Sequence, residues 1–559
     1  MWRLIFMLFM VTAAECVGQD KDGMEAVLRF LGAEAPEEVD EEEAERLAYM
    51  LDRPLRINQV TMSRLIDSGL LDRYRAASLN DYRLRHGDVL SLMELSLVDG
   101  FGEAFVSRLA PFISLETSSV PGERIAGKSK VRTDMTIKAG AKHNDEMLWT
   151  SGVKAKLEAG DRFSATFAAT SPYGRFDPEE LLYSTSLMMR FPKLHMKFIA
   201  GDFNARFGQG LVQWNGLSLS SLSAPSAYMK NPVGLTQSSS FTGNYALTGV
   251  AAETSLKRFT LSAFLALPGI KKFRISEILA GSNLTYHWRS GQVSATYFSN
   301  KSSIDTRWCI KGVDVFAETA YDWSQHSIKA LLGSVFPSGE HLRTAAMLRF
   351  YPVDGNEYGA SVSSEFCIPD RHRVLAVVDA VHLPVPKKDD RGGSTQVKSL
   401  LQWEWQTLEW LTVSLRLTER YRTWGDEFRT DMRADMQTVF DAFRVNLRLN
   451  ALKCRAWGML SYIEWGYEGK RLTIWMRQGF FRVDDWNDRI YAYERGAPGG
   501  FRVPAYYGRG EWTALTVSAR FRKAGRLYLR AACTAYPFMD REKRKPGKAE
   551  LEIQYVCSF

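Results

Sequence analysis

Leu551-Glu552-Ile553-Gln554-Tyr555-Val556-Cys557-Ser558-Phe559 closes the chain, and its alternation decides the fold. Leu551, Ile553, Tyr555, Cys557 and Phe559 share one face of a strand, and Glu552, Gln554 and Ser558 share the other, because side chains alternate with period two. A strand this long and this apolar on one side is an aggregation hazard unless a partner strand covers its edge. In a closed barrel the first strand supplies that cover. The chain upstream repeats the pattern from about residue 131 onward, as in 163–167, 194–199, 313–319, 342–350, 411–417, 443–449 and 515–521.

The terminal stretch resembles the last strand of bacterial outer-membrane β-barrels, in which a final aromatic is read by the barrel-insertion machinery. The resemblance implies that Tyr555 and Phe559 form a membrane-insertion signal, and that outer-membrane lipid and that machinery are partners. Composition agrees with a barrel. The 559 residues are 45% hydrophobic and 24% charged, and no run after the N-terminus approaches the roughly 18 apolar residues of a spanning helix. Barrel strands need only about 9–11 residues, half of them polar where the lumen is wet. Fifteen tryptophans, 22 tyrosines and 31 phenylalanines suit aromatic girdles at both membrane interfaces. Connections from about 341 to the end alternate short and long, as periplasmic turns and external loops do, and the alternation fails near 300–340. The pattern predicts about 22 strands over 131–559. Along them Arg416, Arg444, Arg448, Arg477, Arg520 and Arg522 fall on the polar face and are expected to line the lumen, favouring anions if it is open.

Met1–Gly18 reads as a signal peptide: Arg3, an apolar run from Leu4 to Val11, then small residues. Residues 19–116 carry 11 Lys/Arg against 20 Asp/Glu, a net −9, whereas 117–559 carry 60 against 43, a net +17. The acidic part has helical spacing. Asn58 is placed as an N-cap, Leu71, Tyr74, Leu79 and Tyr82 mark a helical face, and Ser91–Glu94 is a capping box. Val98-Asp99-Gly100-Phe101-Gly102 then forms a Gly-apolar-Gly turn before another helical run. With Ile57-Asn58 and Arg85-His86-Gly87 upstream, this resembles a tandem helix-hairpin-helix domain of the competence DNA-receptor type. That resemblance implies phosphate contacts from Gly100, Phe101 and Gly102, with Arg83, Arg85 and Arg108 nearby. Glu103 and the acidity of the domain run against it, since phosphate neutralisation dominates DNA affinity. Any DNA binding is expected to be weak and salt-dependent. Residues 117–130 are a polar linker.

Two further stretches stand out, Gly201–Leu211 and Trp486–Gly510. Asp202 with Arg206, and Asp485 or Asp488 with Arg489, are candidate acid–cation pairs that brace the wall or an inward loop. Together with the hairpin module and Phe559, these stretches resemble the large helix-hairpin-helix domain-containing outer-membrane proteins of the Bacteroidota. The six cysteines and eight histidines are dispersed, so no disulfide framework, metal site or cofactor is expected. No nucleophile elbow, P-loop or nucleophile–base pair appears, so no enzyme is expected. The fold class is thus α + β and multidomain: a small all-α helix-hairpin-helix module, periplasmic, followed by a large antiparallel transmembrane β-barrel. Two functions follow, the first as the main reading and the second as its alternative. One is a DNA-handling outer-membrane protein; the other is a channel, transporter or structural assembly barrel whose helical module docks another envelope protein.

Overall fold

The structure, a computed structural model, describes residues 23–116 and 131–559 except 34–35, 40, 161, 175–179, 216–221, 239, 242–245, 257, 268–277, 289, 339–340, 352–356, 369–370, 385–392, 499, 501, 522–524 and 540–545. The expected signal peptide, the linker and Arg522 lie outside the described residues.

Alternation closes the sheet into a ring of 24 antiparallel strands, from Val131–His143 to Lys548–Ser558. Tyr555 stands opposite Ile137 and Ile553 opposite Ala139. Phe559 exchanges two backbone hydrogen bonds with Thr133, at 2.9 and 3.2 Å. Residues 196–203 pair directly with 247–254, and the short strand Gly234–Gln237 adds to 203–206 beside that seam. The ring holds two strands more than the spacing predicts. The reason lies at 299–341, where connections at both ends are short (299–300, 311–312, 323–326 and 338–341), so no long loop separates one hairpin from the next.

Burial is inverted relative to a soluble sheet. Leu415 is 45%, Phe480 48% and Ile553 43% exposed, while Ser262, Asp379 and Arg530 are almost fully buried. The apolar face therefore looks outward, where only lipid can accept it. Aromatic pairs collect outside near both rims: Phe259–Tyr286, Trp288–Trp308, Trp410–Phe440 and Phe443–Tyr467 at the end bearing the chain termini, Tyr321–Trp323 and Phe350–Tyr358 at the other. Connections at the terminal end are two to four residues long, and the longest, 207–246 and 484–507, lie at the opposite end. The protein is an outer-membrane β-barrel, with its termini on the periplasmic side.

Six helices precede it: α1 (Gly23–Leu31), α2 (Glu41–Asp52), α3 (Met62–Asp67), α4 (Arg73–His86), α5 (Leu92–Ser96) and α6 (Gly102–Leu109). Their buried core includes Val27, Leu47, Leu65, Leu79, Leu95, Leu109 and Phe112. Short turns join α3 to α4 and α5 to α6. Thr61, Asp72 and Ser91 accept the N-cap hydrogen bonds of α3, α4 and α5. The placement of Asn58 as an N-cap is corrected: its side chain cross-links Val89 N–H, Val89 C=O and Leu115 C=O. A parallel two-residue pairing of Leu55–Arg56 with Ile113–Ser114 ties the segment between α2 and α3 to the end of the unit.

Candidate functional site

The helical unit is seated inside the periplasmic mouth of the barrel, and ion pairs around the ring hold it there. Asp67 at the end of α3 meets Arg190 at 2.5 Å and Lys197 at 2.8 Å. Asp72, the cap of α4, meets Arg307 at 2.6 Å, and Arg73 meets Glu253 at 2.5 Å. Arg53 reaches Asp134, Arg64 reaches Glu158, and Glu45 reaches Lys154. Glu38 meets Arg416, and Arg29 meets Glu404. These partners sit on eight strands between Val131–His143 and Leu411–Arg422. An acidic unit thus fills a basic lumen, which accounts for the charge asymmetry of the sequence.

Burial alone would raise the Asp67 carboxyl, but Lys197 and then Arg190 outweigh it and hold it below the usual carboxylate range. Asp72 is likewise buried, yet Arg307 and Arg75 bring it down to about 2. Both acids are therefore ionised wherever the protein functions.

A long loop folds in from the extracellular end and meets the helices. Ala224 N–H donates to Gly32 C=O at 3.1 Å, Asn204 on the adjoining strand donates to Glu42, and Arg206 pairs with Glu43. Glu318 anchors this loop by accepting the N–H groups of Gln209 and Leu211. The stretch Gly201–Leu211 is thus the hinge of an inward loop. The expected Asp202–Arg206 pair does not form. Asp202 accepts Thr185 N–H and the Thr248 hydroxyl, and Arg206 donates to Asn215 C=O.

Between the helices, this loop and the wall lies a chamber of about 1150 Å³. The α5–α6 turn faces it through Gly100 and Phe101, and α6 through Gly102 and Arg108. Ten lysines and arginines line it against five acids. Several are matched: Arg349 meets Glu357 and Asp379, and Arg307 and Arg75 share Asp72. Among the described residues Arg108, Arg343, Lys230 and Lys398 form no ion pair. Burial, and then the charge of Arg343, lower Arg108 to about 10. Burial lowers Lys230 to about 8, with Arg206 adding to the effect, while its ammonium lies over the Trp214 ring at 4.8 Å.

The DNA-contact candidates are thereby relocated. Gly100, Phe101 and Gly102 face an enclosed chamber sized for a small molecule, which does not support duplex binding. Arg83 is occupied with the carbonyls of Asn58 and Val60. Arg85 pairs with Asp81 on the exposed face of α4. Gly100 has φ +86°, and a Cβ there would meet the Tyr74 ring at 2.4 Å; its glycine serves the turn's packing.

The luminal arginines of the C-terminal strands are also accounted for. Arg444 meets Glu468, Arg448 meets Asp435, and Arg477 grips Glu464 with two nitrogens at 2.7 and 2.9 Å. Arg416 is taken by the helical unit, and Arg520 is exposed at the periplasmic end of its strand opposite Arg526. Arg530, which alternation alone did not single out, is nearly fully buried between Glu494 and Glu550. The loop 484–507 folds over this network, and its Asp488 accepts three backbone N–H groups, from Cys454, Arg455 and Ala456. The expected pairing of Asp485 or Asp488 with Arg489 is corrected: Arg489 stacks on Trp486 and Tyr491.

No family model matches the chain, and no curated protein matches it. Among solved structures, the siderophore receptor PirA from Pseudomonas aeruginosa aligns with a TM-score of 0.40 at 10% identity, over 77% of this chain and 80% of that one. PirA from Acinetobacter baumannii gives 0.42 at 7% identity, over 76% and 80%. The translocation pore of the P pilus usher PapC gives 0.41 at 6% identity, over 77% and 99%. These likenesses are ones of barrel architecture.

Proposed function

We propose that the protein is a plugged outer-membrane channel or transporter for a small anionic solute, with the helical unit as the plug. The observation that carries this reading is the chamber: ten cations against five acids, four of the cations without an ion pair among the described residues. A low-dielectric cleft lined by one sign of charge concentrates the opposite ion, and cationic rings select anions in pores. The volume suits a small molecule, and aromatic groups beside the cations (Phe105, Trp214, Tyr228, Trp424) offer faces for its uncharged part.

Planar-bilayer recordings of the intact chain under a potassium chloride gradient test this. The expected reversal potential is that of an anion-selective pathway, and Arg343→Glu with Lys398→Glu should move it toward zero. Cation selectivity in the intact protein would overturn the proposal.

A further inference from the structure

The outward, lipid-facing wall is not uniformly bulky. Across five neighbouring strands, Leu415 stands opposite Ala434, Ala434 opposite Leu449, Leu449 opposite Ser461, and Ser461 opposite Phe480. The next rung toward the extracellular rim runs Met432, Ala451, Met459, Arg482 and Arg509. The small side chains of Ala434, Ala451 and Ser461 leave an apolar trough of about 1060 Å³ between larger neighbours. At its upper end Arg482 and Arg509 are exposed, with side chains 67% and 45% accessible, and both contact Asp484, Arg509 with two nitrogens at 2.7 and 3.0 Å and Arg482 at 3.7 Å. Lys453 projects on the same outward face, opposite Trp457 and two residues from Met459, and Arg455 follows in the exposed turn. Against these four cations stand Asp484, Glu419 on the rung of Lys453 (opposite Thr430) and, on the next strand beside Phe480, Glu511. The rim stays net positive.

We propose that this trough binds an anionic acyl lipid of the extracellular leaflet. Its acyl chains lie along Leu415, Leu449, Met459 and Phe480, and its phosphate-bearing head rests on Lys453, Arg482 and Arg509. The apolar floor matches hydrocarbon chains. The net positive rim matches the charge of a phosphate-bearing head. A second copy of the chain fits less well, because a twofold contact through this face would bring the same cations of both copies together.

Native mass spectrometry of the intact protein, released from detergent micelles holding equimolar phosphatidylglycerol and phosphatidylcholine of matched chain length, tests the site. The expected result is retention of phosphatidylglycerol at least tenfold over phosphatidylcholine. Arg482→Glu with Arg509→Glu should lower that retention at least tenfold while the barrel still shows its heat-modifiable mobility. Ala434→Trp, which fills the trough and leaves the rim intact, should do the same. Equal retention of both lipids, retention unchanged in both variants, or a dimer covering the trough would each overturn the proposal.

Discussion

Asp72 does two jobs with one carboxylate. It caps α4 by accepting Arg75 N–H at 2.7 Å, and it joins the helical unit to the wall through Arg307. Asparagine caps a helix as well as aspartate does, but removing one partner of a buried pair costs about 3–5 kcal/mol because the other charge is stranded. Asp72→Asn should therefore loosen the seat of α4, seen as faster amide exchange over residues 62–86 while the barrel strands are unaffected. The pH dependence follows in sign. The folded carboxyl lies at about 2, below the ordinary ~3.9, so its stabilisation is complete above ~4 and is lost as pH falls through about 2. Protection of α4 should be flat from pH 8 to 5 and collapse only in strong acid. A seat that weakens between pH 7 and 5 would point to other groups. The capping box Ser91–Glu94 was legible in the sequence because its partners lie three residues apart. Asp72 as a wall contact was not, because Arg307 is 235 residues away.

The inward loops are elements of the same kind. In 484–507 the clasp is Asp488, buried and accepting the three N–H groups of the turn 454–456. A hydrogen bond to a charged group is worth about 1.5–3 kcal/mol, so Asp488→Asn should free this loop by about 3 kcal/mol. Amide exchange at Cys454 and Ala456 should then speed by roughly a hundredfold. Unchanged exchange there would mean that the Arg530 network alone holds the loop. Periodicity revealed the strands, because period two depends only on neighbours along the chain. Both loop stretches were visible as unusual, with glycines and mixed charge. Their role was hidden, since an inward loop is defined by partners on other strands: Glu318 for one, Glu464 and Arg530 for the other.

At the scale of the whole molecule, a −9 helical part (residues 19–116) and a +15 barrel (residues 131–559, 57 Lys/Arg against 42 Asp/Glu) are two halves of one electrostatic design. The charge asymmetry was readable at once, but its meaning required knowing that one half sits inside the other. The hairpin glycines drew attention toward nucleic acid, whereas in the fold they face the chamber wall. The candidate arginines of the C-terminal strands were placed by alternation, yet alternation cannot tell a paired arginine from an unpaired one. The central claim, that the helical unit is a plug held by buried ion pairs, is most directly tested by cutting the linker. Proteolysis between residues 117 and 130 in the folded, detergent-solubilised protein separates the two parts covalently. Buried pairs are only weakly screened by salt, so the helical fragment should co-elute with the barrel on size exclusion even at 1 M salt, where the Debye length is about 3 Å, and leave only on unfolding. Release of the fragment from an intact barrel under native conditions would contradict the account.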